Sequence, residues 1–149
     1  KLESLISPFN IFEAVGMIHQ EIRHSYFLTF LFNPSEKHGL GSIFLKLLLK
    51  HTLPKAEAVK IDNCDLSNTI VIREKKTAEG KSIDIFLLNK ESKLTVTIEN
   101  KIDSDEHSEQ LKAYREYVDT QYPPDPENGY RNVFIFLTIY VFFLIFFTV

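Results

Sequence analysis

The chain has 149 residues, of which 44% are hydrophobic and 25% are charged. These values are typical of one globular domain and exclude a disordered chain. The formal net charge of -3 gives no overall attraction to nucleic acid, although a metal site or a local basic patch can serve that purpose. The single cysteine, Cys64, excludes an internal disulfide and a cysteine-rich zinc site, so we expect a reducing, cytoplasmic environment.

The first third of the chain has the apolar spacing of helices. Residues 9–33 place apolar side chains at intervals of three and four, which predicts helix over this stretch. A second helix, rich in leucine, is predicted from Ile43 to His51 and ends before Pro54.

The rest of the chain alternates in the manner of strands, with one further helix. Strands are predicted at residues 69–74, 83–88 and 94–99, the last two as a hairpin. A helix is predicted after the capping-box pair Asp103 and Glu106 and runs to about Asp119.

The C-terminal end is an uncharged run of 17 residues, 133–149, at the lower limit of a membrane-spanning helix. Residues 133–138 fit a sheet strand, because phenylalanine, valine and isoleucine favour strands. We therefore assign residues 1–138 to the domain and interpret residues 139–149 as an aberrant hydrophobic tail, from truncation or a shifted reading frame. A protein anchored in the membrane by this run is the alternative. We expect no stable membrane association, because a spanning helix needs about 20 residues and usually has charged flanks.

The register of the hairpin brings two acidic residues together. If its turn centres on residues 90–93, Asp84 faces Glu99 and Lys101 lies on the same face of the sheet. The other face is then wholly apolar, with Ile83, Ile85, Leu87, Val96 and Ile98. Facing Cβ atoms are about 5 Å apart, so the two carboxylates repel each other and need a compensating charge.

A divalent cation would supply that charge. Asp84, Glu99 and Glu21 of the first long helix carry three negative charges, against one positive charge on Lys101. Mg²⁺ takes oxygen ligands and keeps several waters beside one or two carboxylates. It can polarise a phosphoryl oxygen and lower the pKa of a bound water, which Lys101 can orient. These residues therefore predict magnesium-dependent hydrolysis of a phosphodiester, in which Mn²⁺ can substitute for Mg²⁺.

The same residues resemble the motif of the PD-(D/E)XK nuclease superfamily, with Asp84 in SIDIF and Glu99-Asn100-Lys101 in TIENKID. In this chain the aspartate does not follow a proline. Gln110 to Tyr114, QLKAY, resembles the Q-x-x-x-Y element of the RecB-like branch. EIRHSYFLTFLFNP, followed by HGLG, is similar to the opening of an uncharacterised bacterial group in which a helix glutamate, here Glu21, precedes the sheet.

The resemblance covers roughly residues 11–138 and implies an α/β fold, a mixed sheet of about four strands flanked by helices in a restriction-endonuclease-like core. It implies a magnesium-dependent deoxyribonuclease in which Asp84, Glu99 and Glu21 bind the metal. Lys101 would position water or stabilise charge, and Gln110 would support the site. Candidate nucleic-acid contacts are four basic residues near the turn before the hairpin and one tyrosine: Arg73, Lys75, Lys76, Lys81 and Tyr114.

Each of these residues also has a simpler interpretation. A Glu-x-Lys pair on a strand is often a solvated ion pair, Glu21 can be an exposed helix carboxylate, and Tyr114 can be a core residue with Gln110 at its edge. The alternative function is a non-catalytic nucleic-acid or protein-binding module with the same fold.

Overall fold

Within residues 11–101 and 108–138, which the computed structural model describes, the chain forms five helices and four strands. The helices are α1 (Ile11–Ala14), α2 (Glu21–Phe32), α3 (Ile43–Thr52), α4 (Lys55–Asp62) and α5 (Ser108–Gln121). The strands are β1 (Ile70–Lys76), β2 (Ser82–Asn89), β3 (Leu94–Lys101) and β4 (Arg131–Thr138).

The strands form one sheet in the order β1-β2-β3-β4. The β1–β2 and β2–β3 pairs are antiparallel, whereas β4 runs parallel to β3. A parallel partner needs a crossover connection, and α5 lies in the chain between β3 and β4. The predicted α/β fold with a mixed four-stranded sheet is confirmed.

The predicted register of the hairpin is confirmed over five residue pairs, from Asn89 with Leu94 to Ile85 with Ile98. The turn closes at Lys93, which adopts a positive φ of 46°. Because the register is set by this turn, the ends of β2 and β3 that carry Asp84 and Glu99 are brought side by side.

Both faces of the sheet are buried, and each supports its own hydrophobic cluster. The first cluster packs Leu45, Leu49 and Ile61 of α3 and α4 against Ile85 and Ile98. In the second cluster, α5 contributes Tyr114 and Val118, which pack with four buried sheet residues: Ile83, Phe86, Leu88 and Phe134. The sheet is therefore a middle layer, with helices on both sides.

Ile83 does not lie on the face that its alternation predicted. It packs in the second cluster, with Phe86, and not beside Ile85. The ladder between β1 and β2 has no pair at Glu74 and Asp84, and Glu74 has a positive φ of 53°. Strand β2 therefore departs from strict alternation at Asp84, as strands do at local ladder disruptions.

The predicted N-terminal helix is interrupted, and one helix was not predicted at all. Residues 15–20 separate α1 from α2, and Gly16 there has a φ of +68°, a conformation that glycine adopts without steric cost. Helix α4 begins directly after Pro54, a residue whose position after the leucine-rich run predicted only the end of α3. Proline is also favourable at a helix start, because its φ is already helical.

The predicted strand at residues 133–138 is confirmed as the larger part of β4. Residues 139–149 and the capping-box pair Asp103 and Glu106 lie outside the described residues. None of the helices in the described part of the chain has the length and apolarity needed to cross a membrane.

Candidate active site

Four of the predicted site residues lie together where the hairpin ends and α2 begins: Glu21, Asp84, Glu99 and Lys101. Glu21 is the first residue of α2, and Lys101 is the last residue of β3. Lys101 Nζ lies 3.5 Å from Glu99 Oε1 and 4.0 Å from Glu21 Oε2. The Lys101 ammonium group thus lies between two carboxylates, Glu21 of α2 and Glu99 of β3, which are far apart in the sequence.

Asp84 is fixed by the backbone of the opposite strand. The Asn100 N–H donates a hydrogen bond of 2.8 Å to Asp84 Oδ2. Burial raises the pKa of Asp84, although this hydrogen bond and the charge of Lys101 favour the ionised form. The aspartate is therefore held in place beside Glu99 at a cost in solvation.

Glu99 is the most buried carboxylate of the site, with 1% of its surface exposed. Its Oε1 accepts a hydrogen bond of 2.9 Å from Gln110 Nε2. Its Oε2 is buried and has no hydrogen-bond partner among the described residues. Burial, and then the charge of Asp84, raise the pKa of Glu99 to about 7 in spite of the nearby lysine.

A chain of hydrogen bonds joins α5 to the start of β2. Gln110 Nε2 lies 2.5 Å from Tyr114 Oη, and the Tyr114 hydroxyl donates to the Ser82 carbonyl oxygen at 2.5 Å. Tyr114 has no exposed surface, and burial raises its pKa to about 12. The prediction that Tyr114 contacts nucleic acid is therefore wrong: its side chain is a core residue that holds Gln110 against Glu99.

Asn100 belongs to the site and was not singled out from the sequence. Its buried side-chain Nδ2 donates to the Glu21 carbonyl oxygen at 3.0 Å and to Ser25 Oγ at 3.2 Å. By the strand period of two, Asn100 follows Val96 and Ile98 on the apolar face. A polar side chain on that face needs buried partners, and this is the signal that could have identified it.

Of the four basic residues predicted to contact nucleic acid, one lies at the site and three lie away from it. Arg73 lines a cleft of about 200 Å³ together with Glu21, Ile22, Ser25, Glu74 and Asp84. Lys75 Nζ instead lies 4.9 Å from the centre of the Phe86 ring, and Lys81 pairs with Glu79 at 3.9 Å. Lys76 is exposed at the end of β1 and does not line the cleft.

The acidic pair fits a divalent cation better than the predicted set of three ligands does. No group of three or more His, Cys, Asp or Glu side chains is placed to hold a metal within residues 11–101 and 108–138. Mg²⁺ needs only one or two carboxylates beside its waters. Asp84 and Glu99 repel each other, and Glu99 Oε2 is a buried oxygen that no donor in the described part of the chain reaches, so a cation would relieve both conditions.

Comparison with known proteins gives one family. A family model described as the PD-(D/E)XK nuclease superfamily matches residues 9–142. Neither the curated proteins nor the solved structures gave a significant match.

Proposed function

Because the chain belongs to the PD-(D/E)XK nuclease superfamily, we propose that it is a metal-dependent nuclease that hydrolyses phosphodiester bonds of DNA. The main support is the placement of Asp84, Glu99 and Lys101 at one end of the hairpin. Burial raises the pKa of both carboxylates, and the charge of Asp84 raises the pKa of Glu99 further. With a lysine 3.5 Å from Glu99, this arrangement is costly for stability. Such an arrangement is common where a site is built for chemistry.

Mg²⁺ is the proposed cofactor, with Mn²⁺ as a substitute. Asp84 and Glu99 would hold it, with the buried Glu99 Oε2 as one of the donor atoms. When bound there, the ion would polarise a phosphoryl oxygen and lower the pKa of a coordinated water.

The neighbouring residues have distinct proposed roles. Lys101, partly exposed, would orient the attacking water or stabilise the charge that develops on phosphorus. Glu21, more exposed, would orient water through its contact with Lys101. Gln110 would keep Glu99 in position by donating to Oε1, and Arg73 would contact a phosphate from the cleft wall.

Two finer assignments rest on the sequence. Gln110 and Tyr114 support membership of the RecB-like branch, and the segment around Glu21 supports the uncharacterised bacterial group within the superfamily. The single cysteine supports action in the reducing cytoplasm.

The test is cleavage of plasmid and linear DNA, with Mg²⁺ or Mn²⁺ and with a chelator, combined with calorimetry for the metal. We expect cleavage only when the metal is present. Asp84→Asn and Glu99→Gln should lose both cleavage and metal binding. Lys101→Ala should bind metal and lose turnover, because a lysine beside carboxylates is not a ligand. Glu21→Gln should have a milder effect.

Lys60→Ala is the control for Lys101→Ala, because Lys60 is exposed on α4, away from the cleft. It should cleave at the wild-type rate. A folded sample that binds no divalent metal and cuts neither DNA nor RNA would contradict the proposal. Binding of nucleic acid without cleavage would favour the non-catalytic module.

A further inference from the structure

We propose that Tyr26 and Arg73 form a subsite for an unpaired nucleotide at the mouth of the active-site cleft. The preferred substrate is then single-stranded nucleic acid, or a duplex with a single-stranded end. This inference rests on the proposed nuclease function and names the substrate class of the same site.

The subsite is continuous with the proposed catalytic residues. Arg73 lines the cleft together with Asp84 and Glu21. Its Nη2 donates a hydrogen bond of 2.9 Å to Tyr26 Oη, and its Cζ lies 3.7 Å from the centre of the Tyr26 ring. Tyr26 is on α2, five residues after Glu21, so the helix that begins at the cleft also carries the aromatic ring.

Tyr26 offers an aromatic surface to solvent. It remains 51% exposed although Arg73 stacks on it. The guanidinium fixes the orientation of the ring, which reduces the entropy that the ring would lose on binding a ligand. An exposed, oriented tyrosine beside an arginine is the arrangement on which single-stranded bases stack.

Arg73 is the only basic residue among the side chains that line this part of the described cleft, and three of the others are acidic. It uses one donor on Tyr26 and lies 3.0 Å from Glu74. A guanidinium has five N–H donors, so Arg73 can also donate a hydrogen bond to a phosphate oxygen. The phosphate of a nucleotide would therefore lie in the cleft, with its base toward Tyr26.

The size of the cleft explains why the base must be unpaired. At about 200 Å³ it is smaller than pockets that enclose a whole small-molecule ligand. It can admit a phosphate, while the base remains outside, against the Tyr26 ring. The bases of a duplex are already stacked on both faces, and freeing one costs unstacking energy. Single strands and frayed ends avoid that cost.

The exposed face of α2 continues this surface. Ile22, Tyr26 and Phe30 are spaced by four residues and share one face of the helix. Ile22 is 54% exposed and Phe30 is 38% exposed. An apolar stripe of this kind, leading away from a charged cleft, fits contact with the faces of unpaired bases better than contact with a phosphate backbone.

The test measures binding without metal, so that it does not depend on cleavage. Fluorescence anisotropy would compare labelled single-stranded DNA, single-stranded RNA of the same sequence, a blunt duplex, and a duplex with an overhang. We expect the single strands and the overhang to bind more tightly than the blunt duplex. Tyr26→Leu should weaken single-strand binding by about tenfold and leave blunt-duplex binding unchanged. Tyr26→Phe, which keeps the ring, should lose much less.

Phe27→Leu is the matched control, because neighbouring helix residues face different directions. It should bind like wild type, and melting curves should show that every variant is folded. Single-strand binding that is unchanged in Tyr26→Leu would overturn the subsite, as would tighter binding of the blunt duplex. If Tyr26-dependent binding is found and no nucleic acid is cut, the subsite stands and the proposed catalysis fails. If DNA is cut and Tyr26→Leu does not change single-strand binding, the proposed catalysis stands and the subsite fails.

Discussion

Glu99 combines deep burial with a charged neighbourhood, and its ionisation should be visible in the stability of the whole protein. Its pKa is raised from 4.5 to about 7, first by burial and then by Asp84. A carboxyl group with a raised pKa in the folded state binds a proton there at pH values where the unfolded chain has released it. Folding is then favoured at low pH, and that advantage is lost as the pH rises.

We therefore predict that, in the presence of chelator, the free energy of unfolding falls as the pH rises from about 4.5 to about 7. The contribution of Glu99 is on the order of 3 kcal/mol. His24, whose pKa is lowered by burial, acts in the opposite direction, so the useful quantity is the difference between wild type and Glu99→Gln. Urea unfolding of both proteins across this range measures it. Parallel pH profiles for the two proteins would contradict the prediction.

The residues of the site differ in how far the sequence could predict them. Asp84, Glu99 and Lys101 were found because one short turn fixes the register of the hairpin, and alternation then assigns faces. Tyr114 was placed on the correct helix but given an external role, because its burial depends on how α5 packs on the sheet. Alternation marks Asn100 as a polar residue on the apolar face, but its partner Glu21 lies 79 positions away in the sequence, and no local pattern identifies that partner.

At the level of elements, the site depends on how α2 is attached to the end of β3. Asn100 donates to the Glu21 carbonyl oxygen in the first turn of α2 and to Ser25 one turn later. Its backbone N–H holds Asp84 at the same time. The hydrogen bonds of Asn100 thus connect the helix that carries Glu21 to the two strands that carry Asp84 and Glu99.

Replacing Asn100 by alanine should separate these two functions. We predict a loss of about 2 kcal/mol in the free energy of unfolding, because two buried hydrogen bonds to α2 are lost. Metal binding should be largely retained, since the backbone N–H remains, while the rate of cleavage should fall as Glu21 loses its position. Asn68→Ala removes an exposed hydrogen bond to Glu91 and is the control, with an expected change below about 0.5 kcal/mol. Equal effects of the two substitutions on stability and cleavage would rule out this role of Asn100.

The elements themselves were predictable where the sequence pattern is strong and local. All four strands were predicted: the first three from alternation and turn residues, and the fourth from the strand preference of phenylalanine, valine and isoleucine. Helix α4 was missed because half of its residues are charged and it buries only Ile61, so it lacks an apolar period. The break between α1 and α2 was missed because the apolar spacing continues through residues 15–20 while the backbone turns at Gly16.

For the molecule as a whole, stability rests on two clusters that share one sheet. Neighbouring residues of β4 belong to different clusters: Phe134 packs with the second and Ile135 with the first. The parallel pairing of β4 with β3 could not be read from the local pattern, which predicted only that a strand is present there. As a strand of the sheet, β4 contributes side chains to the hydrophobic clusters on both of its faces.

We predict that Phe134→Ala and Ile135→Ala each lower the free energy of unfolding by about 3 kcal/mol, through loss of buried contacts and the cavities that remain. Ile70→Ala, at a half-exposed position of β1, should cost less than about 1 kcal/mol and is the control. Urea unfolding followed by circular dichroism measures all three. A small effect of Phe134→Ala alone would mean that the layer formed by α5 contributes little to stability.

The left-handed backbone of Glu74 lowers the stability of the fold at a residue that lines the cleft. A non-glycine residue at a φ of 53° carries a conformational penalty that glycine would not. Glu74→Gly should therefore raise the free energy of unfolding by up to about 1 kcal/mol, and denaturation can measure this. The same residue lines the cleft with Asp84, at the interruption of the ladder, so the more flexible glycine should also weaken metal binding. Selection for stability alone would favour glycine at position 74. Selection for nuclease activity would instead favour the strained glutamate.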